Sequence, residues 1–72
     1  MAAPACRVTI AERIKEFRAE NGLSQSEFGK LFGISAQAVC KWEREKGYPD
    51  IFFLPRLALI LGCTVDDFFE TR

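Results

Sequence analysis

Apolar residues return every three or four positions in several separate stretches, and most are bounded by capping or breaking residues. Ile10, Ala11, Ile14 and Phe17 follow Thr9 and end before Asn21-Gly22. Glu12, three residues after Thr9, suggests a capping box, and the spacing predicts a first helix to about Glu20. Leu23 comes before a second cap, Ser24, with Glu27 in the box position and Leu23 placed to staple against Phe28. Phe28, Leu31 and Phe32 then give a second helix its apolar face. Gly33 ends it, Ile34 plugs a turn, and Ser35 caps a third helix at once, so these two helices must meet steeply. A side chain at Gly29 is expected to collide with the third helix at the crossing. A fourth helix is predicted over about 51–61, with Pro55 in its early turns and Ile51, Leu54, Leu57, Ala58 and Leu61 as its core stripe. Gly62 stops it. Thr64 caps a short last helix with Asp67 in a box-like position, and Val65, Phe68 and Phe69 point to the core or to a second subunit. Strand-like alternation with hairpin dipeptides is lacking, so the expectation is an all-α domain over 9–72 behind a flexible N-terminal segment, 1–8.

The paired helices of residues 24–44 read as a helix-turn-helix unit. Its second helix places Ala38, Val39 and Trp42 inward. Ala36, Gln37, Cys40, Lys41 and Arg44 form the outer stripe. That stripe is small or hydrogen-bonding at its start and basic further on. A helix presented to a DNA major groove needs that order, with amides or hydroxyls for base edges and cations for phosphates. A lone amphipathic helix with a solvated face shows a similar pattern. The two caps and the glycine at the turn set this one apart. In the following loop, 45–50, Gly47 is expected to take an unusual backbone angle. Lys46 and the amides around Gly47 are candidate phosphate contacts, and Tyr48 is expected to pack with its hydroxyl at the rim. Asp50 caps the next helix.

Composition narrows the possibilities. Seventy-two residues with 49% apolar content and seven Phe can form one small core. Ten basic and ten acidic residues cancel, which argues against strong non-specific DNA affinity. The acid is concentrated at the far end. Residues 24–47 hold Lys30, Lys41, Arg44 and Lys46 against Glu27, Glu43 and Glu45, a surplus of one positive charge. Without histidine, and with Cys6, Cys40 and Cys63 far apart, the usual zinc ligand patterns are missing. No metal, no cofactor, no disulfide framework and no membrane span are expected, and no enzyme: there is no Gly-rich phosphate loop and no recognisable pair of facing carboxylates. Cys40, beside Lys41 on the outer stripe, is a candidate redox group.

The segments GLSQSEFGKLFGIS, KWERE, GYPD and LPRLALILGCTVDDFF, in that order, resemble the Cro/repressor (Xre-type) helix-turn-helix domain of bacteria and phages, over about residues 9–70. The resemblance implies a five-helix, lambda-repressor-like fold with the motif at helices 2 and 3. It also implies a homodimer on double-stranded operator DNA. By position it gives Gln25 a backbone phosphate and a buttressing role. It gives Ser35, Ala36, Gln37 and Lys41 the base edges or nearby phosphates. Glu43 matches an acidic residue paired with a basic one in the first helix, here Arg18. The pattern departs at Ala36, which suits a thymine methyl better than a hydrogen bond, and at Cys40 and Glu45. Phe52 and Leu59 stand where the family more often has polar groups. With Phe68 and Phe69 they form a candidate dimer or partner face.

The expected function is a sequence-specific DNA-binding transcriptional regulator, a repressor, acting in a bacterial or phage-directed cytoplasm near the nucleoid. Arg44, Lys46, Gly47 and Gln25 would hold the DNA backbone. The alternative is a protein-interaction module, such as an antitoxin that binds a toxin partner as well as its own operator.

Overall fold

The computed structural model describes residues 6–71. Its element order is β1 (Cys6–Val8), α1 (Ile10–Asn21), α2 (Gln25–Lys30), α3 (Ala36–Glu43), a 3-10 turn (Ile51–Phe53), α4 (Leu54–Leu61), a second 3-10 turn (Val65–Phe68) and β2 (Phe69–Thr71). The helices pack on one core of Ile10, Ile14, Phe28, Phe32, Val39, Leu54, Leu57, Ala58 and Phe68. An aromatic series runs through it. Phe17 meets Phe28 edge-on at 5.8 Å between ring centroids, Phe28 and Phe32 lie at 5.1 Å, Phe32 and Phe53 at 5.2 Å, and Phe53 and Trp42 at 5.6 Å. These contacts join α1, α2, α3 and the first 3-10 turn.

Several expectations are corrected. Residues 6–8 are a strand, not part of a flexible lead-in, and residues 1–5 lie outside the described residues. β1 pairs antiparallel with β2, with Arg7 opposite Glu70 and Val8 opposite Phe69. A three-residue strand is too short to display alternation, which is why the pattern missed the ribbon. Among the described residues there are four α-helices, and the expected fifth is the 3-10 turn Val65–Phe68. Its Thr64–Asp67 capping box forms as read, and β2 follows directly at Phe69. Phe68 is fully buried in the chain's own core and is withdrawn from the candidate dimer face.

Thr9 does not cap α1 through its side chain. Its hydroxyl donates to the Asp67 carbonyl at 2.8 Å, and its backbone N–H donates to the Phe68 carbonyl at 2.8 Å. Arg13 Nε donates to the same Asp67 carbonyl at 3.1 Å, and Glu12 pairs with Arg7. The ribbon draws Thr9 away from capping geometry and uses it to close the fold end to end. Leu31, at the C-terminal cap of α2, is exposed and leaves the apolar side of this helix to Phe28 and Phe32. Ile51 lies in the first 3-10 turn and is 73% exposed, off the core stripe expected for it.

Candidate nucleic-acid interface

The site is built from the two caps outward. The Ser24 hydroxyl accepts from the Glu27 N–H at 3.0 Å, and the Glu27 carboxylate accepts from the Ser24 N–H at 3.0 Å. These backbone and side-chain hydrogen bonds hold the Glu27 carboxyl below its ordinary range. Gly33 has φ +72°, so the turn takes the left-handed conformation that glycine accommodates. The Ile34 N–H then donates to the Gly29 carbonyl at 3.0 Å. A Cβ at Gly29 would lie 2.5 Å from the Ile34 carbonyl oxygen. The close approach is therefore to the backbone of the turn, one step before the helix that sequence reasoning had named. Ser35 caps α3, its hydroxyl accepting from the Ala38 N–H at 3.1 Å.

The base of α3 is anchored by a buried carboxylate. Glu43 is 5% exposed. Arg18 grips it with two of its three guanidinium nitrogens, Nε to Oε2 at 2.6 Å and Nη2 to Oε1 at 2.8 Å. The third arm, Nη1, donates to the Leu23 carbonyl at 3.0 Å. Gln25 Nε2 adds a bond to Glu43 Oε1 at 3.3 Å. Burial pushes the Glu43 carboxyl up, but the bonds from Arg18 and Gln25 and the charges of Arg18 and Lys15 outweigh it, leaving it below the ordinary carboxylate range. The bond to Glu43 raises the Arg18 guanidinium in turn, against its own desolvation. One network thus ties α1, the α1–α2 turn, α2 and α3 together. Gln25 sits within this network, half-buried, at the start of α2.

With α3 fixed in this way, its outer stripe faces solvent. Gln37, Lys41 and Arg44 are exposed, and Ala36 and Cys40 are half-buried between them. Val39 is buried, while Ala38 and Trp42 are half-buried on the inner side. Gln37, Lys41 and Arg44 on one side and Val39 on the other follow the spacing, whereas Ala36 and Cys40 are half-buried just as Ala38 and Trp42 are. The stripe offers one amide, one small apolar group, one thiol and two cations along a single edge. Lys46 and Lys30 are exposed nearby in sequence. Cys40 and Cys63 are both free thiols. Cys63 is half-buried beside Arg13 and Asp67. Burial raises its thiol, with a smaller lowering effect from Arg13.

The loop after α3 departs from expectation in one residue. The left-handed position belongs to Glu45, with φ 58°, and not to Gly47. The Lys46 N–H donates to the Lys41 carbonyl at 2.9 Å and the Glu45 N–H to the Trp42 carbonyl at 3.3 Å, the paired bonds of a Schellman cap. The signal was the place of Glu45 itself, two residues past the end of α3, where a left-handed residue is usual. Its identity concealed this, because glycine is the usual occupant. On the other side of the loop, Val8, Ile10, Tyr48, Pro49, Ile51, Leu54 and Phe69 line an apolar groove of about 300 Å³. Tyr48 stands at its rim and is exposed. Among the described residues, no cluster of three or more His, Cys, Asp or Glu is arranged to hold a metal ion. Among the described residues, no helix is long and apolar enough to cross a membrane.

Comparison with known proteins adds to this geometry. A family model described as helix-turn-helix matches residues 14–68. The prophage-derived, uncharacterised transcriptional regulator YonR of Bacillus subtilis is 38% identical over 57 residues, 79% of this chain and 53% of YonR. The chain thus spans about half the length of that relative. An uncharacterised transcriptional regulator of Archaeoglobus fulgidus is 30% identical over 79% of this chain and 81% of its own length. Among solved structures, the P22 c2 repressor bound to a synthetic operator superposes with a TM-score of 0.69 at 33% identity, covering 79% of this chain and 86% of the repressor chain. Apo-HppE superposes with a TM-score of 0.69 at 24% identity, over 92% of this chain and 37% of HppE, a likeness of fold alone.

Proposed function

The chain belongs to the helix-turn-helix family, and on that premise we propose that it is a sequence-specific DNA-binding transcriptional regulator that acts as a repressor. The observation that carries this reading is the exposed outer stripe of α3, held by two capped helices and the Arg18–Glu43–Gln25 network. Gln37 reads a base edge with its amide, Lys41 contacts a base or a nearby phosphate, and the Ala36 methyl suits a thymine methyl. Ser35 spends its acceptor on the cap and keeps its hydroxyl proton for a phosphate. Arg44, Lys46, the amides about Gly47, and Gln25 hold the DNA backbone. The half-buried Gln25 hydrogen bond to Glu43 supports the buttressing half of its role more directly than the phosphate half.

The net charge of zero leaves little non-specific affinity, so one domain on one half-site binds weakly. Two domains are needed for tight binding. We place the self-contact at the apolar groove and its rim of Tyr48, Ile51 and Phe69. Its lining includes no charged side chain, so two copies related by a two-fold axis meet there without opposing like charges. Such a dimer presents two α3 helices to successive major grooves about 34 Å apart and blocks polymerase sterically. The protein then works with the DNA of a bacterial or phage-infected cytoplasm.

The test is a titration of the purified protein against the DNA upstream of its own gene and against a scrambled duplex, at two salt concentrations. The upstream DNA is expected to bind more tightly at both. Gln37→Ala should cost about 1–3 kcal/mol on the cognate duplex and narrow the gap to the scrambled one. Equal binding of both duplexes by wild type and Gln37→Ala would remove α3 as the reading helix.

A further inference from the structure

The outer side of α4 has no cover among the described residues. Phe52 is 90% exposed and Leu59 is 81% exposed. Arg56 and Leu59, three residues apart, are neighbours on α4, and Phe52, in the 3-10 turn just before the helix, extends this exposed stripe. Its guanidinium carbon sits 5.5 Å from the centroid of the Phe53 ring. The ion pairs among the described residues use Arg7 and Arg18, and Arg56 takes part in none of them.

We infer that this stripe docks a segment of another protein, an amphipathic helix that carries a carboxylate between two apolar side chains. The charge pattern selects this occupant over the others. An isologous contact of the stripe with a second copy sets Arg56 against Arg56, and residues 51–65 contain no acidic side chain to separate them. The uncharged groove is the better surface for self-association. The chain's own C-terminal strand is engaged elsewhere, paired with β1. DNA matches Arg56 but gives nothing to two large apolar neighbours. A helix with apolar residues at i and i+7 and a glutamate at i+4 complements all three positions at once. This surface is separate from the α3 stripe, and the inference does not depend on operator binding.

The probe is a labelled synthetic helix of about 16 residues with leucine at i and i+7 and glutamate at i+4, beside a twin with lysine in place of the glutamate. Fluorescence anisotropy on the full chain should favour the acidic peptide by about fivefold or more. Arg56→Glu should reverse that preference, and Leu59→Gln should weaken binding of the acidic peptide about tenfold. Both positions are exposed, so the variants are expected to keep the wild-type circular dichroism. No preference for the acidic peptide, or the same preference in Arg56→Glu, would overturn the proposal. Sedimentation gives an independent check: Leu59→Gln should leave the oligomeric state unchanged, and dissociation of a wild-type dimer by it would make the stripe a self-contact instead.

Discussion

The junction of α2 and α3 and the outer side of α4 are built on opposite terms. At the junction Ser24, Gln25, Glu27, Ser35, Arg18 and Glu43 all have hydrogen-bond partners. Two serine caps, a backbone-to-backbone approach at Gly29 and a three-armed arginine leave α3 one orientation. On α4, Leu54, Leu57 and Ala58 are buried on one side, while Leu59 and, in the turn before the helix, Phe52 stand in water. Helix α3 is fixed by the chain itself and shows a polar edge. Helix α4 is fixed on one side only and shows an apolar one. The difference teaches where each surface looks for its partner: the first is preorganised for a charged, patterned ligand, and the second gains from whatever removes it from water.

The sharpest way to break the junction is to strand its buried charge. Arg18→Met should destabilise the protein by about 3–5 kcal/mol, because Glu43 is left desolvated without its main counter-charge. Chemical denaturation at neutral pH measures it. The double change Arg18→Met, Glu43→Leu should recover most of the loss. The pH dependence has a definite sign. In the wild type Glu43 is held below its ordinary range, so the stability it contributes is complete above the unfolded carboxylate value and is lost as pH falls through the folded one. In Arg18→Met burial dominates and raises the carboxyl, so protonation relieves the variant and its deficit should shrink as the solution is acidified.

Gly29→Ala comes next. The added Cβ meets the Ile34 carbonyl oxygen, which belongs to backbone and cannot rotate away. A loss of about 2–3 kcal/mol is expected, read from the thermal midpoint. The turn must also shift, so operator affinity should fall by more than the stability change explains. If Gly29→Ala melts like wild type, the junction is looser than its contacts indicate.

Much of this region was legible in the sequence because its determinants are local. A cap and its box partner are three residues apart, and the sides of α3 follow from a 3.6-residue period. The Arg18–Glu43 pair spans 25 residues and was reached only through resemblance to a family. What escaped was set by distant contacts or by short elements. Thr9 reads as a cap, yet its hydroxyl is claimed by Asp67, 58 residues away. The β1–β2 ribbon is too short for a period to register. Ile51 reads as the first core residue of the fourth helix, yet it lies in the 3-10 turn before that helix and is exposed. At the candidate site the stripe was readable, while the strained position was given to Gly47 because glycine is its usual occupant.

That strained position offers a smaller, opposite test. Glu45 holds φ 58° without the help of a glycine backbone. Glu45→Gly should stabilise the folded chain by up to about 1 kcal/mol, since removal of the left-handed penalty is partly offset by greater freedom in the unfolded chain. It also removes one negative charge next to Arg44 and Lys46, so DNA affinity should rise slightly and its salt dependence steepen. A loss of stability would mean that the Glu45 side chain contributes something its exposure does not reveal.

The smallest effect tests the comparison most directly. Leu57 and Leu59 are two residues apart on α4, one fully buried and the other open. Leu57→Ala should cost about 2–5 kcal/mol, the usual loss for a core leucine. Leu59→Gln should stay within about 0.5 kcal/mol, because glutamine matches leucine closely in helix propensity and no packed contact is removed. The measurement is the thermal midpoint at two protein concentrations about a hundredfold apart. If the outer face is free, the Leu59→Gln difference from wild type is the same at both concentrations. If wild type gains more than the variant on concentration, mass action links that face to self-association, and α4 would be closed by a second copy instead of left open for a different partner.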